Sequence, residues 1–187
     1  MQADTLLLHR RSLKALTAPA PTRDQLDLLY RAALRAPDHK GLTPYRFVEM
    51  QGDGRQRLGT LMAKSVKAKQ PSIPVEKLAS IQKKAFNAPM VIAVIARIED
   101  TTKIPRVEQV VTAGCAAHAM LYAAQAQGLG AFWWTGPYAN DPVVRSGFDL
   151  TPMDELIGFI NLGQPDGEAD APSERDPGAF IERWTEA

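Results

Sequence analysis

The sequence predicts an α+β protein in which helices flank a mixed sheet. Three observations support this fold class. Several segments place apolar residues at helical spacing, the run Met90–Ala96 is apolar on both faces like a buried strand, and helices and strands do not alternate as in a parallel βαβ fold. The chain has 187 residues, of which 45% are hydrophobic and 23% are charged. A chain of this length buries roughly 70% of its unfolded surface on folding, so residues 1–187 can form a single domain.

Two helices are predicted before the first strand. The first begins near Thr5 and ends near Arg10, where the sequence HRRSLK interrupts its apolar stripe. The second follows a capping box formed by Thr22 and Gln25, and its apolar residues recur at helical spacing. This helix must end before Pro37, because the residue before a proline disfavours helical dihedral angles.

One strand and two basic helices are predicted next. Residues 46–50 alternate polar and apolar as a strand does, and the sequence QGDG then forms a turn. Residues 55–69 and 75–86 read as helices, and the stretch 54–86 holds eight Lys and Arg against one Glu. We interpret this stretch as a basic helical cover over a functional site, or as a basic surface that is simply solvated. A nucleic-acid-binding face is the alternative, but the stretch has no aromatic residue to stack a base before Phe86, and we expect no nucleic-acid partner.

The second half of the chain predicts a buried strand, a long helix and two further strands. Residues 90–98 form the clearest strand, because they are short, β-branched and apolar. Residues 107–127 form the longest helix, and its middle is rich in Ala and Gly, so another backbone can approach it closely. The sequence GLG ends this helix, AFWW is a strand, Asp141 caps a short helix, and residues 155–161 form the last strand.

Charge and cysteine content indicate where the protein works. The formal net charge is +1, but residues 161–187 hold seven Asp and Glu against two Arg. The segment 164–187 is too polar to form a core alone, although Phe180 and Trp184 suggest that it docks against another surface.

The single cysteine, Cys115, cannot form an intrachain disulfide, and no apolar run approaches the about 20 residues of a membrane helix. We therefore expect a cytoplasmic protein with no signal peptide and no membrane partner.

Several catalytic classes lack their characteristic residues. His9, His39 and His118 do not have the spacing of metal ligands, and one cysteine cannot hold zinc or an iron–sulfur cluster. There is no Walker A loop and no GxSxG nucleophile motif. The glycines of GLGAFWW follow a helix, which is the reverse of the order in a dinucleotide-binding fold. We expect no metal site and no hydrolytic nucleophile.

A cluster of cations near the N-terminus is the best remaining candidate for a binding site. Arg10, Ser12 and Lys14 are two residues apart, so in an extended segment they lie along one edge. Arginine offers a bidentate fork to a phosphate, serine a small donor or acceptor, and lysine a point charge. The alternative is a solvated helix end whose cations are favoured by the helix dipole.

A second segment favours the binding site over that alternative. Residues 35–47 run from a helix end through a proline-bounded loop into a strand. They carry Arg35, His39 and Lys40 beside an aromatic residue, which suits a planar anionic ligand.

Five motifs occur in the order and spacing of a known family: HRRSLKAL, RAALRAPDHK, NAPMVIAVIA, EQVVTAGCAAHAMLYAAQAQGLGAFWWTG and DELIGFINLG. Over roughly residues 1–165 the sequence resembles the FMN-dependent nitroreductase superfamily, and it is most similar to the compact NAD(P)H nitroreductase branch. The resemblance implies a nitroreductase-like mixed α+β sandwich that forms an intertwined homodimer. It also implies two FMN sites at the subunit interface and a C-terminal extension, residues 164–187, that crosses the partner.

The resemblance also implies which residues contact the cofactors. Arg10, Arg11 and Ser12 match contacts to the FMN phosphate and ribityl chain, and Lys14 matches a cation near N1 and O2 of the flavin. The other residues that match FMN contacts are Arg35 and His39, from the other subunit, and Trp133, Trp134 and Thr135, beside the isoalloxazine ring. The residues that match NAD(P) contacts are Ala123, Ala124, Gln125, Ala126, Gln127 and Gly128. Reduction leaves negative charge over N1 and O2, and a cation in a water-poor site stabilises that charge.

The sequence departs from the family pattern at two places. Residues 42–45 read Leu-Thr-Pro-Tyr where many members have Asn-x-Gln-Pro-Trp, so the side-chain amide contact to the flavin edge is missing from this motif. Trp134 stands where close relatives often carry a cation. Two interpretations of Trp134 are open: it narrows the site in favour of flat aromatic acceptors, or it simply packs.

The resemblance implies an FMN-dependent oxidoreductase with a ping-pong mechanism. NAD(P)H passes a hydride to flavin N5 and leaves, and a flat electron-poor acceptor such as a nitroaromatic compound or a quinone then takes the electrons. No catalytic side chain is predicted, because the flavin carries the redox chemistry. The alternative is a protein that stores or senses FMN without turning over NAD(P)H, in which Trp134 fills the nicotinamide position.

Overall fold

The computed structural model describes residues 2–167 and 173–184. Within these residues the helices are α1 (Ala3–His9), α2 (Arg23–Ala33), α3 (Asp53–Lys69), α4 (Val75–Lys83), α5 (Arg106–Ala126) and α6 (Pro142–Gly147). The strands are β1 (Leu16–Thr17), β2 (Tyr45–Met50), β3 (Met90–Ala96), β4 (Gly130–Trp134) and β5 (Glu155–Pro165). Short 3-10 turns lie at His39–Gly41, Lys84–Phe86, Gly136–Tyr138 and Pro177–Phe180.

The strands form one sheet with the order β1-β5-β3-β2, and β4 also pairs with β5. All of these pairs are antiparallel, so the described residues of one protomer form an antiparallel sheet where a mixed sheet was predicted. Every residue of β3 is buried, because β3 is central and helices cover both faces of the sheet. In the ladder between β4 and β5, Phe132 lies opposite Asn161 and Trp134 lies opposite Phe159. This register places aromatic and amide side chains side by side on one part of the sheet.

Helices α2 and α5 cover one face. The predicted capping box is present: the Thr22 hydroxyl accepts from the Gln25 N–H, and the Gln25 side chain accepts from the Thr22 N–H. Leu26 and Leu29 are buried in the core beside α5, and burying each stabilises the fold by roughly 1.5–3 kcal/mol. Small residues of α5 let neighbouring elements approach closely, and those with no exposed surface are Ala113, Ala116, Ala117 and Ala124.

Helices α3 and α6 cover the other face, and α4 packs on α3. Leu58 and Met62 of α3 are buried, whereas α4 carries no buried residue. The two helices meet at Gly59, where a Cβ atom would lie only 2.6 Å from the backbone oxygen of Gln82. A glycine is therefore required for the close approach of α4 to α3.

Asp141 joins α6 to α3. Its carboxylate caps α6, as predicted, by accepting hydrogen bonds from the N–H groups of Val143 and Val144 at 3.0 and 3.2 Å. Its Oδ2 atom lies 2.6 Å from Nζ of Lys69, in the last turn of α3. Burial by itself raises the pKa of Asp141, but hydrogen bonds from Lys69, Ser65 and Val144, with the Lys69 charge, together hold the pKa below its usual value.

The α+β class and the order of the predicted elements are confirmed, and the differences lie at element ends. Helix α3 begins at Asp53 rather than residue 55, and β3 ends at Ala96 rather than residue 98. Strand β5 continues past residue 161 to Pro165, where it pairs with the unpredicted strand β1. A two-residue strand has no detectable period, so only its partner reveals it.

The described part of the C-terminal tail, residues 173–184, contains one 3-10 turn. Phe180 and Trp184 are 74% and 90% exposed, so neither side chain packs into the protomer that carries it. Other parts of the predicted extension, residues 168–172 and 185–187, lie outside the described residues. The crossing of this tail to a partner stays a prediction. In the described ranges no helix has the length and apolar character needed to cross a membrane.

Candidate functional site

A cleft lies on the α3 face of the sheet, beside strands β4 and β5. Its volume is about 240 Å³, and its lining residues are Lys14, Met62, Lys84, Asn87, Phe132, Trp134, Tyr138 and Asn161. Phe132 and Trp134 are alternate residues of one strand and therefore share a face, which gives the cleft an aromatic floor. A cavity of similar volume between β2, α3 and the end of α6 contains none of the predicted site residues.

The cationic N-terminal segment runs along β4. The chain leaves helix α1 at Arg10, whose backbone is extended, and the Leu13 N–H donates to the Ala131 carbonyl at 2.9 Å. The side chain of Gln125 fixes the segment from α5: its oxygen accepts from the Arg11 N–H at 3.0 Å, and its Nε2 donates to the His9 carbonyl at 3.3 Å. Strand β4 and helix α5 therefore fix the position of this segment, and its residue Lys14 lines the cleft.

Positive charge borders the cleft on two sides. Nζ of Lys14 lies 5.5 Å from the ring centre of Phe132, and Lys84 lines the cleft just after α4. Nη1 of Arg10 is buried and has no hydrogen-bond partner among residues 2–167 and 173–184. Burial lowers the pKa of His118, and the nearby charge of Arg10 lowers it further. Nε of Arg46 and Nε of Arg55 are also buried without a partner, but Arg10 belongs to the cationic segment, where an anionic ligand would supply the missing acceptor.

The two adjacent tryptophans have opposite environments. Trp133 packs against the core on the α5 side, and its Nε1 donates to the Ile157 carbonyl at 3.3 Å. Trp134 faces the cleft, stacks on Phe159 with ring centres 4.4 Å apart, and donates from Nε1 to Asn161 Oδ1 at 2.8 Å. Thr135 follows the strand and is exposed. Trp134 thus lines the cleft and also packs, so the two interpretations of this residue are not exclusive.

Arg35 and His39 lie far from the cleft within one protomer. Both are exposed, and His39 Nδ1 lies 2.7 Å from Oε2 of Glu108, near the start of α5. The cationic segment is held by Gln125, near the end of the same helix. Gln125 is 17 positions after Glu108 in α5, a separation of about 25 Å at 1.5 Å per residue. The structure therefore does not bring the two predicted halves of the site together in one chain.

The stretch predicted to contact NAD(P), residues 123–128, does not line the cleft. Ala123 and Ala124 are buried in the core, so their side chains are inaccessible to a ligand. The Gln127 side chain donates to the carbonyls of Gln25 and Ala123. Gly128, at φ +75°, ends the helix, and Ala126 is exposed. The structure gives this stretch roles in packing, and its contact with NAD(P) stays a prediction.

A sequence profile described as the nitroreductase family matches residues 7–164. The chain belongs to the nitroreductase family. It is 39% identical over 183 residues to an Escherichia coli K12 protein named "Putative NAD(P)H nitroreductase YdjA", and the match covers 97% of this chain and 98% of that protein.

Solved nitroreductases share the fold. A nitroreductase-like family protein from Bacillus cereus superposes with a TM-score of 0.84 at 23% identity, over 100% of this chain and 97% of that one. A variant of the FMN and NADPH-dependent nitroreductase NfnB from Sphigopyxis sp. strain HMH superposes with a TM-score of 0.76 at 18% identity, over 100% of both chains. The nitroreductase fold predicted from the sequence is therefore confirmed.

Sequence reasoning missed several lining residues of this nitroreductase cleft, above all Lys84 and Asn161. Lys84 was one of eight similar cations in the basic stretch, and no local pattern separates it from the others. Asn161 offered a signal, because it is a lone amide within the apolar strand sequence LIGFINLG. In the described part of the chain, no group of three or more His, Cys, Asp and Glu residues is arranged to hold a metal ion.

Proposed function

We propose that this nitroreductase-family protein is an FMN-dependent NAD(P)H oxidoreductase. The observation that carries the proposal is the cleft, in which a flat aromatic floor of Phe132 and Trp134 is bordered by Lys14 and Lys84. The buried donor of Arg10, which has no acceptor among the described residues, fits the phosphate of a flat anionic cofactor. The names of the relatives, which specify NAD(P)H and FMN, support the same cofactors.

FMN in this cleft would supply hydride acceptance from NAD(P)H and electron transfer to a flat acceptor such as a nitroaromatic compound or a quinone. Lys14 and Lys84, which line the cleft, would stabilise the negative charge that reduction creates on a bound flavin. Arg10, Arg11 and Ser12 would bind the phosphate and ribityl chain. The aromatic residues of the cleft would exclude water and strengthen these electrostatic interactions. In each half of the reaction cycle, the partner of the protein is a small molecule. We propose that the reaction takes place in the cytoplasm, because the single cysteine suits a reducing compartment.

We further propose that each site is completed by a second copy of the chain. One face of α5 carries residues spaced three or four apart that are exposed or half-buried: Val107, Val111, Gly114, Cys115, His118 and Tyr122. Two copies packed antiparallel along this face place the start of one α5 beside the end of the other. His39 of one copy then approaches the cationic segment of its partner, which removes the separation of about 25 Å along the helix. The tail 164–187 is proposed to cross to the partner in the same assembly.

The cofactor and the reaction are tested together on the purified protein. Apoprotein is titrated with FMN, and the anaerobic holoprotein is then mixed with NADPH or NADH while flavin absorbance is recorded. We expect bound FMN and bleaching within seconds with at least one donor. Protein that fails to bind FMN would overturn the cofactor proposal. Bound FMN that neither donor bleaches would instead support a storage or sensor protein.

The second copy is tested with a charge placed on the α5 face. Val111 is 56% exposed, and Val111→Asp should separate the subunits because a charge would be buried at the interface. Leu28→Asp is the matched control, since Leu28 is 46% exposed on α2, away from that face. Sedimentation velocity and FMN content per chain are measured for both. Val111→Asp protein that stays dimeric and loaded with FMN would overturn the proposed interface.

A further inference from the structure

Asn161 is a buried amide in an otherwise apolar strand. It lies on β5 with 6% of its surface exposed, directly opposite Phe132 in the ladder with β4. The neighbouring residues Ile160 and Leu162 have no exposed surface. A polar side chain at such a position costs stability unless its hydrogen-bonding groups find partners. The partners of Asn161 therefore indicate what the residue does.

One half of the Asn161 amide is bound to Trp134. The indole Nε1 of Trp134 lies 2.8 Å from Asn161 Oδ1. An indole N–H can only donate, so the atom that faces it must be the amide oxygen. Nδ2 of Asn161 must then point the other way. Among residues 2–167 and 173–184, no acceptor forms a hydrogen bond with Nδ2. Nδ2 is also not among the polar atoms that are fully buried without a partner, so part of its surface is accessible. Because Asn161 lines the cleft, Nδ2 opens onto it.

The indole that sets this orientation is itself held on two sides. Trp134 stacks on Phe159 with an interplanar angle of 26°, and the edge of Tyr138 meets it with ring centres 6.2 Å apart. Phe159 has no exposed surface and Tyr138 is buried. Rotation of the indole would therefore disrupt the core on the α3 face, so the amide of Asn161 has one available orientation.

We propose that Asn161 is a cofactor-binding residue and that Trp134 is the positioning residue that aims its N–H donor into the cleft. This inference rests on the proposed binding of FMN. Nδ2 joins Lys14 and Lys84 as a third donor on the walls of the cleft. These three donors favour an acceptor atom of the flavin ring, and they favour the reduced ring most, because reduction adds negative charge there. Trp134 thus acts on the cofactor through Asn161 as well as by contact.

The test measures the midpoint potential of bound FMN in variants of the holoprotein. Asn161→Asp keeps an oxygen that can accept from Trp134 but replaces the N–H donor with a negative oxygen. We expect a loss of about tenfold in the preference for reduced over oxidised FMN, which lowers the potential by about 30 mV. Asn161→Leu removes the donor without adding charge and should move the potential in the same direction by a smaller amount. Asn161→Leu also allows the potential to be measured if Asn161→Asp does not fold.

The positioning role is tested with Trp134→Phe, which keeps an aromatic ring beside Phe159 but loses the N–H together with one ring of the indole. We expect the potential to fall in this variant, and we expect no further fall when Trp134→Phe is added to Asn161→Leu. Trp133→Phe is the matched control, because it also removes an indole hydrogen bond, to Ile157, but on the core side of the strand. Its potential should equal that of the wild type.

The outcomes separate this inference from the proposed function. Wild-type potentials in both Asn161 variants, with FMN bound, would overturn the role of Asn161 and leave the FMN proposal intact. Additive effects of Trp134→Phe and Asn161→Leu would overturn the positioning role of Trp134. A wild-type protein that does not take up FMN would overturn both the inference and the function on which it rests.

Discussion

Gln125 holds the cationic segment in place, and its replacement by alanine tests whether that segment binds FMN. The Gln125 oxygen accepts from the Arg11 N–H at 3.0 Å, and its Nε2 donates to the His9 carbonyl at 3.3 Å. These two bonds flank Arg10, whose buried Nη1 has no acceptor among the described residues. Gln125→Ala removes both bonds without disturbing α5, because alanine is the strongest helix former.

The size of the effect follows from the two bonds. A hydrogen bond contributes about 0.5–1.5 kcal/mol net, and the half-buried position of Gln125 favours the lower part of that range, so losing both costs about 1–2 kcal/mol. In our proposal, the two hydrogen bonds hold the segment in the conformation that binds FMN, so their loss weakens FMN binding by this amount. The Kd for FMN should therefore rise about 5- to 30-fold.

The assay is a titration of apoprotein with FMN at fixed salt, followed by flavin fluorescence. Gln127→Ala is the matched control, since the Gln127 side chain also makes two hydrogen bonds, to the carbonyls of Gln25 and Ala123 at 3.2 and 3.1 Å. It should lower stability but leave the Kd for FMN within about twofold of wild type. Gln125→Ala protein with an unchanged Kd for FMN and a raised KM for NADPH would refute the reasoning and indicate a direct contact to the nicotinamide nucleotide.

Three further changes test the site and the packing that supports it. Lys14→Met removes a charge from the wall of the cleft. If FMN binds there as we propose, the variant should lose about tenfold of its preference for reduced FMN, a fall of about 30 mV by spectroelectrochemistry, and an unchanged potential would contradict the role of Lys14. The depressed pKa of Asp141 means that its ion pair with Lys69 stabilises the fold fully above about pH 4 and less as pH falls through the native pKa. Urea unfolding at pH 7 and pH 3 should therefore show a smaller acid loss in Asp141→Asn than in wild type, and equal losses would count against the pair. Gly59→Ala places a Cβ 2.6 Å from the Gln82 oxygen and should destabilise the fold by about 1–3 kcal/mol, whereas wild-type stability would mean that α4 moves freely on α3.

Periodicity and capping were enough to predict most elements, because both depend on neighbouring residues. The capping box of Thr22 and Gln25 and the apolar run of β3 are local patterns, and both elements are present as predicted. Strand β1 was missed because it exists only through its pairing with the end of β5. Local pattern therefore predicts an element when the element's own residues specify it, and fails when a distant partner does.

The residues that line the cleft show that local pattern is limited in the same way when it is used to predict a functional site. Lys14 and Trp134 were named from their motifs, whereas Lys84 lies in a basic stretch without a motif and Asn161 lies in the motif DELIGFINLG without an assigned contact. Trp134 and Asn161 are 27 residues apart in the chain, and only the register of β4 with β5 brings the indole to the amide. Hydrogen bonds between strands depend on that register, which no single segment encodes.

The sequence by itself determined the α+β class, the family and the cationic N-terminal segment, because each depends on residue type and short spacing. Only the tertiary structure decided which side chains can meet. Because side chains alternate along a strand, Trp133 and Trp134 must point to opposite faces of the sheet. The helices that cover each face decide that Trp133 lies in the core and Trp134 lies in the cleft. Similarly, α5 holds His39 and the cationic segment near opposite ends, since a rigid helix keeps its length. The two halves of the predicted site can therefore meet only between two chains.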